Sequence, residues 1–147
     1  MINLIPILQT AIGPAILISG VGLLLLTMTN RLGRVIDRAR TLDAQLPQAA
    51  ESDRRQIALQ LRILWQRARL IRVAILLAGA SALAAALLII VLFFTALGIF
   101  DNPWLIGAIF VSCMACLAAS LAVFIHDINQ TLTALKLELS SAGLGEL

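Results

Sequence analysis

Residues 23–40 read LLLLTMTNRLGRVIDRAR, so that a charge-free apolar run gives way to an arginine-rich segment within eighteen positions. No formally charged side chain occurs in residues 1–30, 73–100 or 102–125. A helix needs about 20 apolar residues to cross the hydrocarbon core of a bilayer, and each run is long enough. The pattern predicts an all-α membrane protein with transmembrane helices over about residues 11–30, 73–100 and 103–126.

Composition favours lipid as the solvent. Of the 147 residues, 61% are hydrophobic and 13% are charged, against roughly 45–50% and 25% in an ordinary globular chain. A sphere this small does not hide so much apolar surface from water. Both cysteines lie inside the third apolar run, which argues against a disulfide scaffold. The formal net charge of only +3 argues against a nucleic-acid partner.

The basic residues predict the orientation of the chain. Residues 31–72 hold ten of the eleven Lys and Arg residues, and the eleventh, Lys136, follows the third run. The positive-inside rule places both segments in the cytoplasm and the N-terminus outside. No Lys or Arg precedes the first run, so we interpret that run as an uncleaved anchor rather than a signal peptide.

The segment between the first two spans is predicted to be a cytoplasmic helical hairpin over residues 31–72. Apolar side chains recur at alternating intervals of three and four residues before and after Pro47, which is the spacing of helices that pack on one another. The two series are Leu32, Val35, Ala39, Leu42 and Leu46, and then Ile57, Leu61, Leu64, Ala68 and Ile71.

The C-terminal segment is predicted to be a cytoplasmic amphipathic helix over residues 127–141. Its apolar residues at helical spacing are Ile128, Leu132, Leu135 and Leu139. We expect this helix to lie against the hairpin. The alternative is an interfacial helix lying flat on the membrane, but Lys136 alone gives it little attraction to anionic lipid.

Small side chains mark the expected helix contacts in the membrane, because they let backbones approach closely where lipid is as apolar as leucine. They recur at four-residue intervals on the second and third spans: Ala74, Ala78, Ala82 and Ala86, and then Ala108, Ser112, Cys116 and Ser120. Such faces serve either contacts within one subunit or contacts with a neighbouring subunit.

Groups that carry chemistry are few. Cys113 and Cys116 form a C-x-x-C pattern, which suits a redox pair or half a metal site, but also suits small residues in a helix contact. His126 and Asp127 end the third span, and we interpret them as marking the point where the helix leaves lipid rather than as a haem ligand or proton relay. We expect no catalytic residue, no metal and no cofactor.

Arginines are the strongest polar feature. Those closest to the membrane are expected to contact anionic lipid headgroups, or to form a cationic collar at the cytoplasmic mouth of an assembly. This set comprises Arg31, Arg34, Arg38, Arg69 and Arg72.

Two blocks of sequence resemble a known family. The stretch PAILIS at residues 14–19, the run LLLLTMTNRLGRVIDRAR and the later LWQRARLIRVAILL at residues 64–77 are similar to the bacterial membrane family called domain of unknown function 2721. Thr29, Asn30, Arg31, Leu32, Arg34, Asp37, Arg38 and Arg40 match its most specific motif, whereas Ala68 stands where a second Arg is expected beside Arg69. The resemblance implies a small three-span membrane protein and no established activity. We expect the chain to lie in the bacterial inner membrane.

Two functions remain as hypotheses. The first is a non-enzymatic structural or accessory subunit, whose helix faces pack on copies of itself or on a larger membrane complex. The second is a homo-oligomeric ion channel with an arginine-lined cytoplasmic mouth, for which hydroxyl-bearing residues on the spans would line the path.

Overall fold

A computed structural model describes residues 4–99 and 102–141, with side-chain surroundings at residue 9 and over residues 11–51, 53–99 and 102–130. The described chain is helical: α1 spans Leu4–Gln45, a 3₁₀ turn spans Leu46–Gln48, α2 spans Glu51–Ala96 and α3 spans Pro103–Ser141. All three helices are long and apolar enough to cross a membrane. The predicted all-helical fold, with three helices able to span a membrane, is therefore confirmed.

Helices α1 and α2 continue unbroken from their apolar runs into the charged segment and meet at the short 3₁₀ turn. Pro47 lies in that turn, where its fixed backbone angle suits the first residues of a helical turn. Beyond the apolar runs the two helices enclose a core around Val35, Leu64 and Ile71. Partly buried side chains of the two predicted apolar series pack against it, namely Leu32, Ala39, Leu42 and Ala68.

The connection between α2 and α3 is closed by backbone hydrogen bonds. The Ile99 N–H donates to the Phe94 carbonyl at 3.2 Å and the Gly98 N–H to the Thr95 carbonyl at 3.0 Å, which is the Schellman pattern of a helix C-terminus. Gly98 has φ of 72°, a conformation that glycine adopts without strain. Asn102 begins α3, accepting from the Leu105 N–H at 3.4 Å through its side chain, and Pro103 follows at the first helical position.

Helix α2 lies centrally and packs against both α1 and α3. Its buried residues inside the apolar run alternate at intervals of three and four, so they follow one seam that continues the seam of the hairpin. They are Ala74, Ala78, Ser81, Ala85 and Leu88. On α3 the fully buried residues are seven apart: Cys113, Ser120 and Asp127. The buried interface between the second and third spans is therefore built mainly from small side chains.

Helix α3 also extends beyond the third apolar run. The helix expected over residues 127–141 is the end of α3 rather than a separate element. Whether its apolar side chains lie against the hairpin falls outside the described side chains.

We expect a larger side chain at Ala78 to destabilise the bundle. Ala78 has no exposed surface, so Ala78→Leu should lower the free energy of unfolding by about 1–3 kcal/mol, because added methylenes force the packed backbones apart. Ala80 lies on the same helix and is exposed, so Ala80→Leu is the matched control and should change stability by less than about 0.5 kcal/mol. Reversible unfolding in mixed micelles measures both; equal effects would contradict the packed seam.

Candidate functional site

A buried carboxylate lies where the apolar runs end. Asp127 on α3 has no exposed side-chain surface. Its Oδ2 lies 3.2 Å from Nε of Arg31 on α1, and its Oδ1 lies 3.6 Å from Nε of Arg67 on α2. One acidic side chain thus pairs with a basic side chain from each of the other two helices, and we call these three residues the ionic cluster.

The local sequence explains why the three groups meet. Arg31 is the first charged residue after the first apolar run, and Asp127 comes two residues after the end of the third. Each therefore lies near the boundary of an apolar segment, where the long side chain of Arg31 keeps its charge close to water. The side chains of Arg31 and Arg67 retain 22% and 24% exposure, while Asp127 retains none. The arginines consequently connect the buried carboxylate to the surface.

An aromatic ring completes one side of the cluster. The guanidinium carbon of Arg31 lies 5.6 Å from the centroid of the Phe124 ring, one turn before Asp127 on α3. This distance is within the range of a cation–π interaction. This contact, together with the ion pair to Asp127, holds the side chain of Arg31 against α3.

Hydrogen bonds between α2 and α3 continue from the cluster into the membrane. The Ser120 hydroxyl donates to the Ala74 carbonyl at 2.7 Å, and the Ser81 hydroxyl donates to the Cys113 carbonyl at 3.0 Å. In return the Cys113 thiol donates to the Ser81 carbonyl at 3.2 Å. These reciprocal bonds satisfy polar groups that lipid cannot hydrate, and so join the two spans.

The cysteines do not form a disulfide. Both are free, with Cys113 buried in its contact with Ser81 and Cys116 half-buried. Among the residues that the structure describes there is no group of three or more His, Cys, Asp or Glu side chains able to hold a metal ion. His126 is exposed, and its Nε2 accepts from the Gln130 amide at 2.9 Å, one turn further on.

The five predicted collar arginines lie on different faces of the hairpin. Arg31 belongs to the ionic cluster, whereas Arg69 and Arg72 line a separate groove together with Arg40. Arg34 and Arg38 are exposed on α1. Within one chain the structure therefore does not bring the five together as a ring.

The eight predicted packing residues fall into buried, half-buried and exposed groups. Ala74, Ala78 and Ser120 are buried between helices, and Cys116 is half-buried together with Ala82 and Ala86. Ala108 and Ser112 are exposed. Residues four apart along a helix are separated by about 40° more than one full turn. Four residues at this interval therefore point in different directions and do not all lie in one contact.

Sequence reasoning missed Arg67 and the burial of Asp127. The interpretation of His126 and Asp127 as a polar pair marking the end of the span treated the two alike, whereas one is exposed and the other fully buried. A signal was present: Cys113, Ser120 and Asp127 are seven residues apart, which is the repeat of one helix face in a packed bundle.

A comparison with known proteins agrees with the resemblance. Residues 11–137 match the family model described as "Protein of unknown function (DUF2721)". The chain matches no curated protein and no solved structure. The matched segment contains all three spans and the whole ionic cluster.

Removing the carboxylate should destabilise the protein more than removing any exposed one. Asp127→Ala leaves Arg31 and Arg67 near each other without their anion, and we expect the free energy of unfolding to fall by roughly 2–3 kcal/mol. This is less than the ~3–5 kcal/mol for a fully buried pair, because both arginines reach solvent. Asp37 is exposed on α1, so Asp37→Ala is the control. Equal stabilities of the two variants in micelles would contradict a structural role for the cluster.

Proposed function

The chain belongs to the DUF2721 family of proteins of unknown function, and we propose that it is a non-enzymatic membrane subunit that acts through helix packing. Its partners are copies of itself or a larger membrane complex. The observation that carries the proposal is a face of α3 that is rich in small residues and that the described part of the chain leaves uncovered. These exposed residues are Gly107, Ala108, Val111, Ser112, Ala115, Ala118, Ala119 and Ala122.

The exposed face resembles the interface that the chain already uses. Between α2 and α3, alanines lie in contact and hydroxyl-bearing side chains donate hydrogen bonds to backbone carbonyls. The uncovered face of α3 has the same composition, including one hydroxyl at Ser112. Since helices in lipid associate where small residues allow close approach, this face suits another helix better than it suits acyl chains.

A concavity marks one end of this face. A space of about 670 Å³ is lined by Pro103, Trp104, Gly107, Ala108, Val111 and Ser112. A Cβ built on Gly107 would meet nothing within 4 Å. The backbone of α3 is therefore open to a side chain of a neighbouring helix at this point.

The hydroxyl groups favour packing over a conduction path. The hydroxyl-bearing residues expected to line a channel are Ser19, Thr27, Ser81, Thr95, Ser112 and Ser120. Five of these six hydroxyls instead bond to backbone carbonyls. Ser19, Thr27 and Thr95 donate to carbonyls one turn earlier on their own helices, and Ser81 and Ser120 donate across to the neighbouring helix. A hydroxyl that donates in this way has no hydrogen left for a passing anion, which is the ion that an arginine-lined mouth would favour. An arginine-lined homo-oligomeric channel is consequently the weaker alternative.

We further propose that the protein lies in the bacterial inner membrane with its N-terminus outside and its C-terminus and arginine-rich hairpin in the cytoplasm. Ten arginines in residues 31–72 support this orientation.

The orientation is tested by fusing two reporters in turn after Leu147. We expect a fluorescent protein that folds only in the cytoplasm to be bright and an alkaline phosphatase that is active only outside to be silent. The opposite pattern would contradict the proposed topology and, with it, the cytoplasmic position of the arginines.

Self-association through α3 should weaken when its small face is enlarged. Ala115→Leu holds a neighbouring helix away, and we expect the apparent dissociation constant between labelled chains in liposomes to rise about five-fold, equivalent to about 1 kcal/mol. Energy transfer between donor-labelled and acceptor-labelled full-length protein measures it. Ala80→Leu, at an exposed site on α2, is the matched control. Energy transfer at the level of random mixing in wild type, together with purely monomeric protein after native purification, would overturn the proposed function.

A further inference from the structure

A groove runs along the hairpin on the side away from the ionic cluster. It encloses about 660 Å³ between α1 and α2. Arg67 points to Asp127, whereas Arg69 lines the groove. Because Arg67 and Arg69 are two residues apart, their side chains are about 200° apart around α2. The volume falls within the range of pockets that hold small molecules, about 300–1,000 Å³.

The floor of the groove is apolar. It is formed by Leu32, Val35, Ala39, Leu61, Leu64 and Ala68. At its sides, Trp65 is 73% exposed and Ile36 is 38% exposed. Because residues 31–72 carry ten arginines, this segment does not enter the hydrocarbon core, and the lipid tails that cover the spans do not cover these side chains.

The charges on the rim are unequal at the two ends. The groove extends from Arg72 near the second apolar run to Leu61, a distance of about 16 Å along α2. At the far end Arg40 and Asp43 lie three residues apart on α1, so their charges offset one another. At the near end Arg69 and Arg72 share one face of α2, and no carboxylate lies within ion-pair distance of either among the described residues.

The two arginines at the near end and the apolar floor together indicate the chemistry of the occupant. Two adjacent guanidinium groups are suited to a carboxylate, which accepts paired hydrogen bonds from arginine. The apolar floor that continues from them is suited to a long unbranched hydrocarbon chain. A second copy of this protein is a poorer match, because it would bring its own Arg69 and Arg72 to the same surface.

We propose that the groove binds one long-chain fatty acid, with its carboxylate on Arg69 and Arg72 and its hydrocarbon chain along the floor beside Trp65. The site is distinct from the packing face of α3 and from the ionic cluster. The protein thereby senses or carries a free fatty acid at the membrane surface, in addition to its proposed role as a subunit.

Trp65 provides the measurement. The chain has only two tryptophans, so Trp104→Phe leaves Trp65 as the single emitter. The full-length protein in zwitterionic nanodiscs is titrated with dibromostearic acid, whose bromines quench tryptophan at short range. We expect saturable quenching of Trp65 that unbrominated stearic acid reverses, and at least ten-fold weaker binding of the brominated methyl ester, which lacks the charged carboxylate.

Substitutions locate the site. The double variant Arg69→Gln, Arg72→Gln should weaken binding about ten-fold or more. The matched pair Arg34→Gln, Arg38→Gln removes two exposed arginines that do not line the groove, and should leave the affinity within two-fold. Ala68→Phe fills the floor and should abolish saturable quenching while circular dichroism reports an unchanged helix content.

Several outcomes would overturn the proposal. Quenching that rises linearly without saturation, or equal quenching by the methyl ester, would show partitioning into the nanodisc instead of binding. Equal quenching by a brominated phospholipid would place Trp65 against the bilayer. Trp65 emission could also shift to the blue as the protein density in the nanodisc rises, and no longer respond to the acid. That result would identify a second copy of the protein as the occupant.

Discussion

The arrangement of this protein depends on one buried negative charge. A carboxylate without exposed surface is tolerated only when cations neutralise it, and both cations of the Asp127 cluster come from other helices. The ion pairs therefore have a geometric consequence as well as an energetic one. They set the rotation and height of α3 relative to Arg31 on α1 and Arg67 on α2, at the level where lipid packing gives way to the charged hairpin.

The helices pack through different kinds of side chain in the hairpin and in the apolar runs, although the contacts follow one continuous face of α2. In the hairpin, α1 and α2 meet through leucine, isoleucine and valine, which bury their large apolar side chains against one another. In the apolar runs, α2 and α3 meet through alanine, serine and cysteine, with hydroxyl and thiol groups bonded to carbonyls of the opposite helix. Water favours large apolar side chains in the contact, and lipid favours close backbones. The sequence of α2 changes accordingly near Ala74.

Much of the fold is predictable from the sequence, because its main determinants are local. Charge-free runs of sufficient length identify the spans, and the three-four spacing around Pro47 predicts two helices with an apolar seam. The ionic cluster is not local: its members lie 36 and 60 residues apart along the chain, and their meeting depends on the register of three helices. On α3, the predicted four-residue series includes the exposed Ala108 and Ser112 as well as the buried Ser120, so spacing alone does not separate contacts within the chain from an uncovered face. The groove of the hairpin is lined by residues of both α1 and α2, so it depends on how the two helices pack, which the composition does not specify.

The uninterrupted passage of α1 and α2 through the membrane boundary has a mechanical consequence. Neither helix has a hinge there, so each span and its half of the hairpin form one stiff rod. From Arg31 to Gln45 the rod extends roughly 21 Å beyond the apolar run, at 1.5 Å per residue. A span that leans by about 10° when the bilayer becomes thinner would displace the far end of the hairpin by about 4 Å. With the proposed topology, such a lean would turn a change of bilayer thickness into sideways displacement of the far end of the hairpin.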